Sequence, residues 1–274
     1  MKAAQAVGAG EAPGEEMAIR QAKLEVLFTP ADFAALKGRD LSATVCVVFD
    51  VLRATSSMIT ALANGAAGIV PVEEIPEALA IRRRDPEVLL TGERDGVRIG
   101  SGLTGGVAFD LGNSPREFTS EAVRGRRIAM TTTNGTRALR ACGGARMALV
   151  ACFLNLRATA DYLKSAKPTQ LLVVCSGTVA EAAYEDVLGA GALCDLVWDD
   201  YRNGPVADSA QMARALFLRE RGDLAGAFGK SRNGRRLLAR PELREDVSFC
   251  AEADKFSLVA EMGSDGVVRT VRRV

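Results

Sequence analysis

The chain has 274 residues and no histidine. That absence removes Ser-His-Asp and Cys-His catalysis, phosphohistidine chemistry and every His-ligated zinc or iron site. Any acid, base or metal ligand must come from Asp, Glu, Lys, Arg, Tyr, Cys or a hydroxyl. Aromatic residues are only 5% of the chain, too sparse for base-stacking platforms. Basic and acidic residues balance at 35 against 34, and no Lys/Arg run exceeds Arg82-Arg83-Arg84. A nucleic-acid partner held by bulk electrostatics is therefore not expected. No uninterrupted apolar run reaches the ~18 residues of a membrane span, and the Ala-, Gly- and Glu-rich start, 1–16, lacks the apolar core of a signal peptide. The six cysteines, at positions 46, 142, 152, 175, 194 and 250, form no C-x-x-C pair and sit mostly among Val, Ala and Leu. Reduced, buried thiols in a cytoplasmic protein are the expected reading.

What is present is a core-rich chain, 48% hydrophobic, long enough to bury that core without disulfides or structural metals. Residues 1–20 read as a disordered extension, with Met17 an alternative start, and 21–274 as a single α/β domain with room for two lobes. Short β-branched runs alternate with helical stretches. Strands are expected at 44–49 (TVCVVF), 69–72, 88–91, 127–133, 148–153 and 171–175, with short ones at 257–261 and 267–271. Helices are expected at 56–64, 76–84, 136–142, 157–165, within 180–198, and at 206–219. This alternation predicts a three-layer α/β/α fold with a mainly parallel sheet, open to some mixing. A weak echo links 49–72 with 130–153, each reading strand end, polar turn, helix, small-residue stop and strand; βαβ connection rules produce such an echo unaided. The stretch 92–115, rich in Gly and Asp, reads as a long irregular and functional insertion.

Polar clusters follow the strands. After TVCVVF come Asp50, Arg53, Thr55 and Ser56; after RIAM come Thr131, Thr132, Thr133, Asn134, Gly135 and Thr136; after ALVACF comes Asn155; after LLVVC come Ser176 and Gly177. In an open α/β sheet the carboxyl ends of the strands form the ligand edge. A single Thr or Asn there is most simply a helix cap. Three threonines, Asn and Gly in succession exceed what a cap needs and suit an anion cradle, above all for phosphate. Asp50 closes a buried strand three residues before Arg53, a costly place for a carboxylate unless it is paired or bound to a metal. Further carboxylates stand at Glu93, Asp110, Glu185 and Asp186, the last two either a solvated helix face or the first turn of a helix. Hard oxygen ligands without imidazole select Mg²⁺ over zinc. Two patterns are set aside. Gly100–Gly105 matches G-x-G-x-x-G but follows no convincing strand and opens no helix, and no P-loop signature exists.

Taken together, FDVLRATSS (49–57), TGER (91–94), FDLGNSP (109–115), TTTNGTRAL (131–139), FLN (153–155), CSG (175–177), ED (185–186) and SRNGRRL (231–237) resemble the 2-phosphosulfolactate phosphatase family, the ComB-like proteins, in the family's order. The chain differs at Ala151-Cys152, where a small Gly/Ser pair is expected, and in lacking a proline near 258–261. The resemblance implies a three-layer fold peculiar to the family and a Mg²⁺-dependent hydrolase that removes phosphate from (2R)-2-phospho-3-sulfolactate, a step in coenzyme M biosynthesis.

On this reading Asp50, Arg53 and Asn134 are the catalytic candidates. Mg²⁺ is expected on Asp50, Glu185 and Asp186, with Glu93 and Asp110 as further ligands. Phosphate and substrate are expected on Arg53, Thr55, Ser56, Thr131, Thr132, Thr133, Asn134, Gly135, Thr136, Asn155, Ser176 and Gly177. Arg94 and Gly112-Asn113-Ser114 are assigned the substrate's carboxylate and sulfonate. Direct attack by water is favoured over an aspartyl-phosphate, because the acid/base Asp that haloacid-dehalogenase-type phosphatases carry two residues after the nucleophile is Leu52 here. The alternatives are a non-catalytic domain that senses a phosphorylated metabolite and a phosphatase of a different small phospho-acid. The expected partner is a small anionic phosphorylated substrate, with no membrane and no nucleic acid, and self-association is left open.

Overall fold

The alternating apolar runs build one mixed sheet. A computed structural model of the chain describes residues 22–271; the expected extension at 1–20 lies outside them. The strands are β1 (Lys23–Leu27), β2 (Val45–Phe49), β3 (Gly68–Val72), β4 (Leu89–Arg94), β5 (Val97–Arg98), β6 (Arg127–Thr131), β7 (Met147–Ala151), β8 (Gln170–Cys175), β9 (Ala260–Met262) and β10 (Val268–Thr270). The helices are α1 (Pro30–Ala34), α2 (Ala54–Ala63), α3 (Ile75–Arg84), α4 (Ser120–Val123), α5 (Gly135–Ala141), α6 (Leu156–Ala166), α7 (Tyr184–Leu196), α8 (Trp198–Tyr201), α9 (Asp208–Glu220), α10 (Leu224–Lys230), α11 (Arg232–Leu238) and α12 (Arg244–Cys250). The expected strands and helices are present with shifted ends. β1, β5, α1, α4, α8 and α10–α12 lie outside the expected elements.

The strand order is β1-β8-β2-β7-β9-β10-β3-β6-β4-β5. Strands β1, β8, β2 and β7 pair in parallel, as do β3, β6 and β4. Between these blocks the β9–β10 hairpin pairs antiparallel with both β7 and β3. Three successive reversals leave the two parallel blocks running in opposite senses, and the sheet is mostly parallel with some antiparallel strands, within the expectation of a mainly parallel sheet open to mixing.

The weak repeat is more than connection grammar. Units β2–α2–β3 and β6–α5–β7 each begin in one block and end in the other. The order β8-β2-β7-β9, read inward from one side, is matched by β4-β6-β3-β10 from the other.

Strand alternation then sorts the core into layers. Val45, Val47 and Phe49 pack with α6, α7 and α9–α12 on one face of the sheet. Cys46 and Val48 face a second cluster with Met58, Ile59, Ala138 and Leu139, and this cluster draws on both blocks through Ile69, Ile128 and Val150. Over the second block the remaining face is covered by α3. The result is the expected three-layer α/β/α arrangement. Helix α2 is buried from Ala54 through Leu62, which explains its many small residues and weak amphipathicity.

All six cysteines are free and buried. No helix among the described residues is long and apolar enough to cross a membrane. The Gly-rich 100–105 segment forms a single 3₁₀ turn, Ser101–Leu103, and opens no α-helix.

Candidate active site

The residues that follow β2, β4, β6 and β8 converge on one cleft, two strands coming from each block. Its walls include Asp50, Arg53, Glu93, Asn113, Thr132, Thr133, Asn134 and Gly177, with Thr178, Asn233, Arg236 and Arg240 closing the far side. Its free volume is about 100 Å³, well below the roughly 300–1,000 Å³ of sites for drug-sized ligands. Val179 stands at the mouth, 70% exposed and at φ +60°, a backbone region that β-branched residues rarely occupy.

Asp50 and Thr132 hold equivalent places, each the first residue after its strand. Asp50 Oδ1 accepts from the Ala54 N–H at 3.0 Å, and Thr132 Oγ1 accepts from the Thr136 N–H at 3.3 Å. Each side chain thus caps the helix that follows, and the two helix starts meet. A Cβ built on Gly135 would collide with Asp50 Oδ2 and lie 2.7 Å from the Ala54 Cβ, so only glycine permits this approach. The N–H groups of Asn134 and Gly135 have no acceptor among the described residues. Those of Thr132 and Thr133 bond to Thr136 Oγ1 and to Glu93 Oε1. Two unengaged N–H groups at a helix start, beside the Thr132 hydroxyl, form a small anion cradle.

Glu93 fixes that cradle. Its Oε1 accepts from the Thr133 N–H at 2.9 Å and hydroxyl at 2.8 Å, and its Oε2 from the Gly96 N–H at 2.6 Å. Asn134 spans the cleft floor, its Nδ2 donating to the Gly177 carbonyl at 3.0 Å. Gly177 sits at φ +69° with the Glu181 carbonyl and Pro30 against it, which leaves no room for a side chain.

Behind this surface lie three buried carboxyl groups. Burial raises Asp50 to about 6, helped by the charges of Glu93 and Glu185 and opposed by bonds from the Ala54 N–H and Ser176. Burial also raises Glu185. Asp186 stands well above the carboxylate range through burial and then the charges of Asp50 and Glu185. Such mutual elevation marks a cluster short of positive charge.

Asp186 has no oxygen to spare: Oδ1 accepts from the Val51 N–H at 2.8 Å, and Oδ2 from Ser176 Oγ at 3.0 Å and the Gly177 N–H at 3.1 Å. Glu185 Oε1 accepts from Asn233 Nδ2 at 2.6 Å, while its Oε2 is buried without a partner. Asp50 Oδ2 and Glu185 Oε2 therefore fit a hard cation, whereas Asp186 serves as scaffold. Among the described residues no three acidic or cysteine side chains form a ready metal cage. Mg²⁺ is compatible with that, since it keeps several waters and takes only one or two carboxylates.

Several expected site residues point elsewhere. Arg94 donates to the carbonyls of Glu93 and Glu73 and to Thr131 Oγ1. Successive strand residues face opposite sides, so with Glu93 at the cleft Arg94 turns away, and Thr131 follows it by donating to the Glu73 carbonyl. Asp110 pairs with Arg82 and accepts from the Leu90 N–H, holding the insertion against β4 rather than a metal. Asn155 is fully buried and ties Cys152 N, the Val150 and Leu258 carbonyls and Thr159 together. It caps a helix and does not reach the cleft.

Thr55, Ser56 and Thr136 hydroxyls all bond to nearby backbone carbonyls. Gly112 gives its N–H to Glu117, and Ser114 Oγ donates to Asp246; of that trio only Asn113 lines the cleft. Arg53 lines it too, but Nη1 is bound to the fully buried Asp246 at 2.8 Å and Nη2 to the Gly96 carbonyl at 2.8 Å. Asp246 also receives Arg116 Nε at 3.1 Å.

Sequence reasoning missed Thr178, Asn233, Arg236, Arg240 and Asp246. The segment 231–237 carries part of the family pattern, which was the only signal for any of them. No local rule marks residues of C-terminal helices as the wall of a cleft between strands.

The 2-phosphosulpholactate phosphatase family model matches residues 33–265. A protein of Pseudothermotoga lettingae is 38% identical over 82% of this chain and 92% of its own length. One of Caldanaerobacter subterraneus subsp. tengcongensis is 36% identical over 89% and 98%, and one of Deinococcus radiodurans 38% over 78% and 86%. All three bear the name "Probable 2-phosphosulfolactate phosphatase".

Proposed function

Since the chain belongs to the 2-phosphosulfolactate phosphatase family, a family of phosphoric monoester hydrolases, we propose that it hydrolyses (2R)-2-phospho-3-sulfolactate to 3-sulfolactate and phosphate, with Mg²⁺ and by direct attack of water. The observation that carries this reading is the meeting of the Asn134–Gly135 cradle with Asp50 across a glycine contact. It sets an anion site and a buried carboxylate side by side. The Asn134 and Gly135 N–H groups and the Thr132 hydroxyl hold the phosphoryl oxygens. Arg53, braced by Asp246 and the Gly96 carbonyl, adds its remaining N–H donors. Glu93 keeps Thr133 and Gly96 in place and so preserves the cradle's shape.

Asp50 works in its ionised form. With Oδ1 fixed by the Ala54 N–H, the ionised carboxylate accepts a hydrogen bond from the attacking water, whose proton passes to the departing alkoxide oxygen as the P–O ester bond breaks, giving 3-sulfolactate and phosphate. Held by Asp50 and Glu185, Mg²⁺ would supply charge stabilisation for the phosphoryl oxygens. The reading includes a cytoplasmic setting, to which six reduced, buried thiols are suited, and a small-molecule rather than nucleic-acid partner.

The test is release of inorganic phosphate from 2-phospho-3-sulfolactate, with and without EDTA. Metal-dependent release that Asp50→Asn abolishes with the circular dichroism spectrum unchanged is the expected result. Binding of the ester without turnover would instead favour a metabolite sensor.

A further inference from the structure

Arg94, Gly112 and Ser114 leave the substrate's acidic tail without most of the partners expected for it, and the cleft supplies others. Resting on the phosphatase reading, we infer that Arg236 and Arg240 form a subsite for the sulfonate, and that this pair selects phosphomonoesters carrying a second strongly acidic group.

The argument begins with charge. A phosphomonoester carries about −1.5 to −2 near neutral pH, and the carboxylate and sulfonate add one negative charge each. The cleft already presents Asp50 and Glu93, and the charge of Arg53 is matched by buried Asp246 at 2.8 Å. Of the cleft-lining cations, only Arg236 and Arg240 are not held by a buried carboxylate. Arg236 stands 3.6 Å from Asp95, whose side chain is 99% exposed, and so fully solvated a partner neutralises little. Arg240 has no carboxylate within ion-pair distance among the described residues. It lines both this cleft and the groove running on past Gly96 and Arg98.

Placement agrees with charge. Both arginines come from the segment that faces the strand-end cradle across a cavity of about 100 Å³, so a ligand of a few carbons whose phosphate sits on Asn134 and Gly135 extends its other end toward them. The β4–β5 hairpin turns through Asp95 and Gly96, both at positive φ, and brings Gly96 to within 3.5 Å of Arg236 Nη2 at its nearest built Cβ position. Guanidinium forks match the planar spread of oxyanion acceptors better than ammonium groups do.

Two measurements test the inference. In the first, 3-sulfolactate and lactate are titrated calorimetrically into wild-type protein and into Arg236→Ala, Arg240→Ala and Arg240→Lys. Wild type should prefer 3-sulfolactate. Each alanine variant should lose about tenfold to hundredfold in its affinity, and Arg240→Lys should recover only part. In the second, kcat/KM is compared for 2-phospho-3-sulfolactate and 2-phospholactate, and the double alanine variant should lose at least tenfold more on the sulfonated ester. Equal losses on both esters, or 3-sulfolactate affinity that survives the double substitution, would overturn the subsite. Absence of wild-type turnover would overturn the phosphatase reading alone, because the titration still decides what the arginines bind.

Discussion

Replacing Asp50 by asparagine should inactivate the protein and stabilise it at the same time. In the metal-free fold Asp50 is raised by burial from 3.8 to about 6, so the folded state holds its proton more tightly than the unfolded chain does. Linkage gives the sign: stability contributed by the protonated group is fully present below pH 3.8 and is lost as pH rises through about 6. At 1.36 kcal/mol per pH unit of separation, the ionised group costs about 3 kcal/mol at pH 8 and about 1 kcal/mol at pH 4.5.

Asparagine keeps the acceptor for the Ala54 N–H and carries no charge, so Asp50→Asn should recover those amounts. In a protein of this size ~3 kcal/mol corresponds to roughly 6–12 °C in Tm. The assay is urea and thermal unfolding in EDTA at both pH values. Added Mg²⁺ should then raise the wild-type midpoint and leave that of Asp50→Asn nearly unmoved. A variant no more stable than wild type at pH 8, or one whose gain is the same at pH 4.5, would refute the account of Asp50 as a buried charge awaiting a cation.

Two further substitutions separate the site from its scaffold. Gly135→Ala drives a methyl into Asp50 and Ala54; it should cost about 1–3 kcal/mol in stability and lower kcat/KM more than tenfold, and activity near wild type would show that the helix starts need not touch. Asn155→Ala removes four buried hydrogen bonds; urea unfolding should show a loss of about 2–4 kcal/mol, while phosphate release per folded molecule stays within twofold.

Asp50, Thr132 and Asn134 are legible because a carboxylate closing a buried strand, and three threonines, Asn and Gly in succession, exceed what a helix cap needs. The same reasoning misplaced Asn155, which follows a strand equally closely. Its surroundings, Thr159 and the Leu258 carbonyl, are set by tertiary structure that no local pattern reports. TGER offered Glu93 and Arg94 as neighbours, but strand alternation permits only one of them to face the cleft. Because β4 continues through Arg94, the carboxylate of Glu93 is the one that faces inward. Asp246 was invisible for a different reason: in REDVSFC it looks like an exposed first-turn acid, and its burial arises only when α12 docks over Arg53. The layers could be read from alternating runs, whereas the opposed senses of the two blocks depend on a hairpin of three-residue strands at the far end of the chain.

That hairpin makes assembly order a property of the fold. Among the described residues β9 and β10 are the last strands in chain order, yet they lie at the centre of the sheet, between β7 and β3. Until residue 270 has emerged, each block carries an inner rim of unpaired backbone groups, the kind of edge on which strands of other chains add. Because β2–α2–β3 and β6–α5–β7 each place a strand in both blocks, neither half of the chain is a unit that can finish folding early and wait. The sheet is therefore continuous only once the C-terminal strands have paired between the two blocks.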